Sequence, residues 1–228
     1  MKALFNFFLI GFAMLGAQAQ AVTYAVTSTS NYTSVTDYTS PCTTGPCANY
    51  TTSQNISGSF DVPTALAPNL SNADIHASVT AYSFADGINT YASTDPSVRT
   101  SVFRVSTDGS GNITVATTLF LLEKWLTGTS PHSVNDRVAI VSIGGGVSFT
   151  RHNLYCTGVG PSGTGMPDSC YQTGQDTSTS SASGATISMA AQSTPAPVNV
   201  PTLSEWGMLI LSALLALGTL LVMRRSKI

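Results

Sequence analysis

The sequence predicts an all-β body, an antiparallel sandwich of the jelly-roll or immunoglobulin-like type, on two observations. Apolar side chains recur at every second position in several runs between residues 22 and 180, which is the repeat of a strand with one buried face. Clusters of Gly, Asp and Asn separate these runs, as hairpin turns do. Before Gly207 the sequence contains no helical pattern longer than two turns.

The predicted strands follow from the pattern of each run. In the first, Ile56, Phe60 and Val62 fall on one side of a run that ends at Pro63. The denser runs further on are typical of strands buried on both faces. β-Branched residues at the start of the run at 115 favour a strand over a helix there. The predicted strands are 56–62, 75–81, 101–105, 115–122, 138–143 and 147–151.

Three turns are predicted between these strands. The Asp-Gly pair at 86–87 lies between apolar runs and predicts a hairpin. The glycines at 144–146 lack the following Lys and Ser/Thr of a phosphate loop, which favours a turn. Segment 108–112 places Asp, Ser and Asn oxygens at alternate positions, as calcium loops do, but lacks the glycine and the distal glutamate of an EF-hand. A hairpin turn is therefore favoured there, with calcium binding as the alternative.

Four cysteines form two local pairs. Cys42 and Cys47 bracket a four-residue loop, and Cys156 and Cys170 bracket a loop rich in Gly, Pro and Ser. Local pairing in an exported chain predicts two disulfides, each stabilising the fold by about 2–3 kcal/mol if the effect is entropic. The alternative is a four-cysteine zinc site. It is disfavoured because these spacings differ from the usual C-x2-C.

The N-terminus has the three parts of a signal peptide, predicted here as residues 1–21. Lys2 supplies a positive start, and residues 3–16 form an apolar run. Small residues at alternate positions then suit signal peptidase, with cleavage after Ala19 or Ala21. Ala21 is preferred because it leaves a longer polar stretch after the apolar run. The alternative, an uncleaved anchor, is disfavoured because the run is short for a bilayer.

The C-terminus also has three parts. Residues 200–207 read Val-Pro-Thr-Leu-Ser-Glu-Trp-Gly. Residues 207–223 carry no charge, and as a helix they would rise about 25 Å, at the lower limit for a hydrocarbon core. Residues 224–228 form a basic stop made of Arg224, Arg225 and Lys227, which the positive-inside rule keeps in the cytoplasm. The body is therefore expected on the other side of the membrane.

This arrangement resembles the IPTL-CTERM sorting domain, a relative of the PEP-CTERM signals of Gram-negative bacteria. The resemblance covers residues 200–228, and Val200 replaces the Ile of the family motif. It implies recognition by an exosortase-type membrane transpeptidase, cleavage near the motif, and transfer to the outer surface or the extracellular matrix. The alternative is a plain C-terminal anchor. The residues that carry the resemblance are Val200, Pro201, Thr202, Leu203, Trp206 and Gly207.

The chain thus divides into four predicted segments. The signal peptide, 1–21, precedes a β-sandwich surface domain, 22–180, and a Ser/Thr/Pro linker, 181–199, precedes the sorting tail, 200–228. The linker contains few large apolar groups, so it buries too little surface to offset the entropy of ordering it. It is predicted to be disordered, although a last strand near 185–190 is an open alternative.

Charge and motifs narrow the function classes. Between residues 22 and 199 there are ten acidic and five basic residues, and an acidic body argues against nucleic-acid binding. His76, His132 and His152 show no zinc-ligand spacing, and the chain has no G-x-S-x-G nucleophile elbow. We therefore expect neither an enzymatic activity nor a metal or cofactor.

Two functional hypotheses remain. The first is a non-catalytic surface or extracellular-matrix protein, held at the inner membrane with its body in the periplasm until it is processed. The second is a carbohydrate-binding module for exopolysaccharide, because tyrosines on a sheet face stack on sugars. The tyrosines of the body are Tyr24, Tyr32, Tyr38, Tyr50, Tyr82, Tyr91, Tyr155 and Tyr171.

Overall fold

The computed structural model of the protein describes residues 21–146, 148–192, 207 and 210–215. The chain divides into two compact units, Met1–Ser193 and Thr194–Ile228. In the second unit, residues 207 and 210–215 are helical. The body is the first unit, and its described part is built from strands and two short 3-10 helices, at His76–Ser78 and Val115–Thr117.

Thirteen strands occur within residues 21–146 and 148–192. They are β1 (Val22–Ser28), β2 (Ser34–Thr36), β3 (Ser57–Val62), β4 (Ala73–Asp74), β5 (Ala81–Ala85), β6 (Thr90–Ala92), β7 (Val98–Val105), β8 (Leu119–Trp125), β9 (Arg137–Gly144), β10 (Ser148–Gly160), β11 (Ser169–Gly174), β12 (Ser180–Ala185) and β13 (Ile187–Ala191).

The strands form two antiparallel sheets. The smaller has the order β13-β1-β3-β5-β6, and the larger has the order β2-β12-β10-β9-β8-β7-β4. Strand β11 lies off this path and pairs with the second half of β10. The predicted all-β antiparallel class is therefore confirmed.

Phenylalanines from the two sheets meet in the core between them. Phe60 of β3 lies 5.3 Å, centroid to centroid, from both Phe103 of β7 and Phe120 of β8. Phe103 and Phe120 stack at 4.1 Å. Each such pair contributes about 0.5–1.5 kcal/mol beyond the area it buries. This cluster identifies the inner face of each sheet, and residues at odd positions of β8, such as Leu121, lie on the outer face of the larger sheet.

The carboxylate of Asp86 is completely buried and is surrounded by hydrogen-bond donors. Its Oδ2 accepts from the hydroxyls of Tyr50 at 2.9 Å, Tyr91 at 2.9 Å and Thr150 at 2.6 Å. Its Oδ1 accepts from the backbone N–H of Asn89 at 2.6 Å. Burial, and then the charge of Asp86, raise the pKa values of both tyrosines well above their usual range, so both remain donors.

Two predicted strands begin later than expected. Segment 75–81 is not a strand, because the 3-10 helix at His76–Ser78 interrupts it and β5 starts at Ala81. The local cause is the Asp74 carboxylate, which accepts from the backbone N–H of His76 at 3.0 Å and turns the chain. The run at 115 likewise starts with a 3-10 turn, and its strand, β8, starts at Leu119.

The predicted linker boundary at 180/181 is wrong, because β12 and β13 extend the body to Ala191. These strands are rich in Ser and Ala, which is why their composition resembles that of a disordered segment. β12 lies between β10 and β2, where its backbone groups are paired on both sides. Ala182 and Ala185 are nonetheless buried against the core. Residues 193–199 of the predicted linker lie outside the described residues.

The predicted turns are confirmed. Asp86 N donates to Asn89 O and closes the β5–β6 hairpin. The glycine turn joins β9 to β10, and its glycines at 144, 145 and 146 have φ values of 100°, 67° and 85°. A Cβ on Gly144 would lie 2.1 Å from the carbonyl oxygen of Thr118, whereas a Cβ on Gly145 would contact nothing within 4 Å. Glycine is therefore required for two reasons: all three positions have a positive φ, and at position 144 the backbone of Thr118 also leaves no room for a side chain.

We predict that Gly144→Ala lowers the free energy of unfolding by about 3 kcal/mol or more. The alanine would pay two costs together: the strain of a positive φ and the collision of its Cβ with the carbonyl oxygen of Thr118. Gly145→Ala is the matched control and should cost about 1–2 kcal/mol, the backbone term alone. Urea unfolding followed by circular dichroism measures both. Equal losses for the two variants would show that the close approach of Thr118 does not matter.

Candidate ligand-binding site

Strand β10 has two parts with different roles. Its first half lies in the larger sheet and pairs with β9 up to Tyr155↔Arg137. Its second half pairs with β11, and this hairpin extends across the outer face as far as β8, where Cys170 N donates to Glu123 Oε1 at 2.8 Å. We call residues 156–174 the flap. The pairing register with β9 shifts next to Asn153, whose φ is +63°, so a bulge precedes the flap.

Both predicted disulfides are confirmed. Cys156–Cys170 joins the two strands of the flap, and Cys42–Cys47 closes an exposed loop. The zinc alternative is therefore wrong, because the four sulfurs are bonded in two separate disulfides and no free thiol is left to bind a metal. The Cys42–Cys47 loop contacts the bulge that precedes the flap, since Asn153 Nδ2 donates to Thr44 O at 2.7 Å.

The tip of the flap is fastened to β7 by polar contacts. Arg99 Nε donates to Pro167 O at 3.0 Å, and Arg99 Nη2 pairs with Asp168 Oδ2 at 3.3 Å. Thr164 Oγ1 donates to Thr100 O at 2.5 Å. The disulfide thus joins the two strands of the flap to each other, and polar contacts hold its tip against β7.

Asp168 is the centre of a second polar cluster at the flap tip. It accepts from His132 N at 2.7 Å through Oδ1 and lies 2.8 Å from His132 Nδ1 through Oδ2. The imidazole stacks on Trp125 at 4.1 Å, and Trp125 Nε1 donates to Asp168 O. Burial alone would raise the pKa of Asp168, but the hydrogen bonds from His132 outweigh it and lower the pKa to about 2.

A pocket of about 290 Å³ lies between the flap and the outer face of the larger sheet. Its apolar lining comes from Val102, Leu121 and Ile140 on β7, β8 and β9. Ser101, Ser162 and Thr173 also line it. We call this space the flap pocket.

Glu123 lies on β8 and lines the flap pocket, although only 3% of its surface is exposed. Its Oε1 accepts from Ser169 Oγ at 2.5 Å and from the backbone N–H of Cys170 at 2.8 Å. Burial raises the pKa of this carboxyl, and the two hydrogen bonds partly oppose the effect. No lysine or arginine within the described part of the chain forms an ion pair with it.

Tyr171 forms the rim of the flap pocket and is 66% exposed. Its ring lies over two glycines of the paired strand: a Cβ on Gly158 would be 2.7 Å from Tyr171 Cζ, and one on Gly160 would be 3.1 Å from Cε1. The ring fills the volume that two side chains would otherwise occupy. The flap therefore presents an aromatic surface supported by its own backbone.

The other tyrosines are less accessible. Tyr24, Tyr32, Tyr50 and Tyr91 belong to the core. Three more are partly buried: Tyr38, Tyr82 and Tyr155. The hydroxyl of Tyr82 lies 2.9 Å from Thr100 Oγ1. The sequence-based hypothesis of stacking tyrosines on a sheet face thus reduces to Tyr171.

The remaining candidate residues are placed as follows. Asp108 accepts from the backbone N–H groups of Ser110 and Asn112 at 2.8 and 2.9 Å, so hydrogen bonds account for this turn. Among the described residues, no cluster of three or more His, Cys, Asp or Glu has the geometry to hold a metal. His152 donates Nε2–H to Pro46 O, while His76 lies in a 3-10 helix.

Most of the predicted sorting residues lie outside the described residues. Gly207 is described and helical, whereas Ala19 and the rest of the predicted signal peptide before Ala21 are not described. Across the described residues, none of the helices is both long and apolar enough to span a membrane. The predicted span 207–223 lies largely outside them and stays a prediction. Also outside are Val200, Pro201, Thr202, Leu203, Trp206, Arg224, Arg225 and Lys227.

Comparison with known proteins identifies the C-terminus. The family model of the IPTL-CTERM motif matches residues 200–225, which confirms the resemblance seen in the sequence. The motif indicates an exported protein with a C-terminal sorting signal, associated with a membrane and handled by a sorting machinery. No curated protein matches the chain. No solved structure matches it either.

We predict that Asp168 contributes stability that is present above pH 3.8 and is lost as the pH falls toward about 2. The sign follows because the unfolded state binds the proton at a higher pH than the folded state does. Asp168→Asn should remove this part of the pH dependence in acid unfolding curves. Asp37→Asn, at an exposed carboxylate, is the control. The result that would contradict this role is a difference in the free energy of unfolding, wild type minus Asp168→Asn, that does not change between pH 4 and pH 2.

Proposed function

We propose that the chain is a non-catalytic surface or extracellular-matrix protein of a Gram-negative bacterium, delivered by its sorting tail. The observation that carries the proposal is the match of the IPTL-CTERM motif to residues 200–225. Two disulfides support export independently, because disulfides persist in oxidising compartments such as the periplasm. Signal peptidase would remove residues 1–21 and leave the body in the periplasm, held by 207–223.

The sorting tail suits a membrane-embedded transpeptidase for physical reasons. In this proposal the apolar segment 207–223 would set the depth of the motif at the periplasmic surface of the inner membrane, a position that suits the amphipathic indole of Trp206. Pro201 has no backbone N–H to donate, and proline favours an extended conformation in the residue before it, the form that protease clefts bind. Arg224 and Arg225 prevent the segment from slipping outward before it is cleaved. The anchor is therefore transient in this proposal.

The polar clusters of the body support a non-catalytic role. The histidine–aspartate pair of His132 and Asp168 resembles part of a catalytic set, but Asp168 also pairs with Arg99 and the imidazole stacks on Trp125. These contacts are those of a structural fastening of the flap tip. The buried Asp86 is likewise surrounded by donors from the core.

We predict that the intact mass of the protein from wild-type cells lacks the tail, whereas the protein from exosortase-deleted cells retains it. Trp206→Ala should accumulate the uncleaved form in wild-type cells, because the motif loses its interfacial anchor. Ser204→Ala, at a position that the pattern Pro-Thr-Leu-x-x-Trp-Gly leaves unspecified, is the matched control and should be processed normally. If the tail remains attached in both strains, the segment is an ordinary anchor.

A second candidate function, carbohydrate binding, is favoured by one observation. Tyr171 presents an exposed ring above Gly158 and Gly160, next to a pocket that contains a carboxylate and hydroxyls. Aromatic faces stack on the C–H faces of sugars and supply a large contact area at little conformational cost. An exopolysaccharide of the producing cell is the partner that fits delivery to the extracellular matrix.

We predict that the protein binds the producer's own exopolysaccharide in a saturable manner and that Tyr171→Ala weakens this binding at least tenfold, about 1.4 kcal/mol. The loss follows from removal of the stacking surface. Tyr38→Ala, on a separate loop, should leave the affinity unchanged. Binding that does not saturate, or that both variants weaken equally, would contradict this candidate function. Affinity electrophoresis in gels containing the polymer measures it.

A further inference from the structure

We propose that the flap pocket is a binding site for one uncharged, hydroxyl-rich sugar unit, with Glu123 as its hydrogen-bond acceptor and Tyr171 as its stacking surface. This inference rests on the carbohydrate-binding candidate and assigns that function to a site and a ligand class. Glu123 and Tyr171 lie on different strands, β8 and β11, and the flap brings both to the same pocket.

Glu123 offers an acceptor that the protein itself uses only in part. Its Oε1 receives two donors, from Ser169 and Cys170, whereas within the described residues Oε2 receives none. A carboxylate has about four acceptor positions, so Oε2 can still accept a hydrogen bond. Oε2 is not one of the fully buried polar atoms that lack a partner, so it is accessible, and a ligand hydroxyl in the flap pocket can donate to it. The hydrogen bonds to Oε1 fix the orientation of the free oxygen in advance.

The lining of the flap pocket matches the two sides of a pyranose ring. Leu121, Ile140 and Val102 form an apolar surface suited to a C–H face. Ser101 and Ser162 add hydroxyl groups that both donate and accept. Ligand pockets consist mainly of apolar surface with a few placed polar groups. A volume of about 290 Å³ lies at the small end for such pockets and suits one sugar unit, with the rest of a chain passing over the rim.

Charge selects against ionised sugars. Glu123 is the charged residue among those that line the flap pocket. The nearby guanidinium of Arg99 is occupied by Asp168 and by the carbonyl oxygens of Pro96 and Pro167. A uronate would meet the like charge of Glu123 in a partly dry space, which costs affinity. An ammonium would pair with Glu123, but removing both charges from water costs several kcal/mol per ion.

The flap pocket is also organised before a ligand arrives. The disulfide Cys156–Cys170 joins the two strands of the flap to each other, and the contacts of Arg99 with Pro167 and Asp168 hold its tip. The ring of Tyr171 lies over Gly158 and Gly160, whose missing side chains leave room for it. A site that needs no ordering on binding loses less of its interaction energy to entropy.

The test uses the full chain, purified in a detergent without sugar head groups, and calorimetric titration with hexasaccharides. The panel contains neutral hexoses (glucan, mannan and galactan), a uronate hexamer and a glucosamine hexamer. At least one neutral hexamer should bind, and the uronate should not. Glu123→Gln and Tyr171→Ala should each weaken binding about tenfold or more, while Tyr38→Ala should not change it. Leu121→Trp, which fills the flap pocket without removing a hydrogen bond, should abolish binding even if Glu123→Gln folds poorly.

The other outcomes are distinguishable. If a neutral hexamer binds equally well to wild type, Leu121→Trp and Tyr171→Ala, the flap pocket is not the site, although carbohydrate binding itself stands. If the uronate or glucosamine hexamer alone binds, the ligand class is wrong. If no hexamer binds while the exopolysaccharide does, the single-unit pocket is overturned. If neither binds, the carbohydrate candidate fails as well.

Discussion

The buried carboxylate of Asp86 connects parts of the chain that are far apart in sequence. It lies in the hairpin of the smaller sheet, yet it accepts from Thr150 in β10 of the larger sheet and from Tyr50 in the loop after the first disulfide. Breaking one such contact would leave a buried charge short of a donor, which is costly in a low-dielectric core. The arrangement therefore fixes where β10 lies relative to the smaller sheet. Because the flap continues from β10, the position of the flap pocket depends on this core contact.

β10 links the core to the candidate site within one strand. Its first half is held by Thr150 and by pairing with β9 and β12, and the bulge at Asn153 marks the change to the flap. The amide of Asn153 also holds the loop of the first disulfide through Thr44. Neither disulfide lies in the central core, and each secures a segment that covers an edge or a face of the larger sheet. The Cys156–Cys170 disulfide belongs to a second buried hydrophobic cluster with Trp125, Val138 and Leu154, whereas the Cys42–Cys47 loop is exposed and is closed by its covalent link.

The sequence was sufficient for the fold class, the disulfides, the turns and the sorting motif, because each has a local pattern. Period two identified β3 and β7, and the dense apolar run at 138–143 identified β9, but the alternation at 75–81 failed because the side chain of Asp74 competes for the backbone. Composition misplaced β12, whose small residues are paired on both sides and, at Ala182 and Ala185, buried against the core. The flap pocket could not be predicted, since it needs Glu123 and Tyr171 from strands whose meeting depends on how β10 bends. A glutamate within the apolar run of β8 was the one available signal.

The packing of Tyr171 on Gly158 and Gly160 has a consequence for how this surface can vary. A side chain at position 158 would collide with the ring, and one at position 160 would crowd it, so the ring can keep this place only while both positions are glycine. Loss of the tyrosine would expose bare backbone, and gain of a side chain would displace the ring. The three positions therefore form one inherited unit. In related sequences, we expect positions 158, 160 and 171 to be conserved or substituted together, whichever polymer the protein binds.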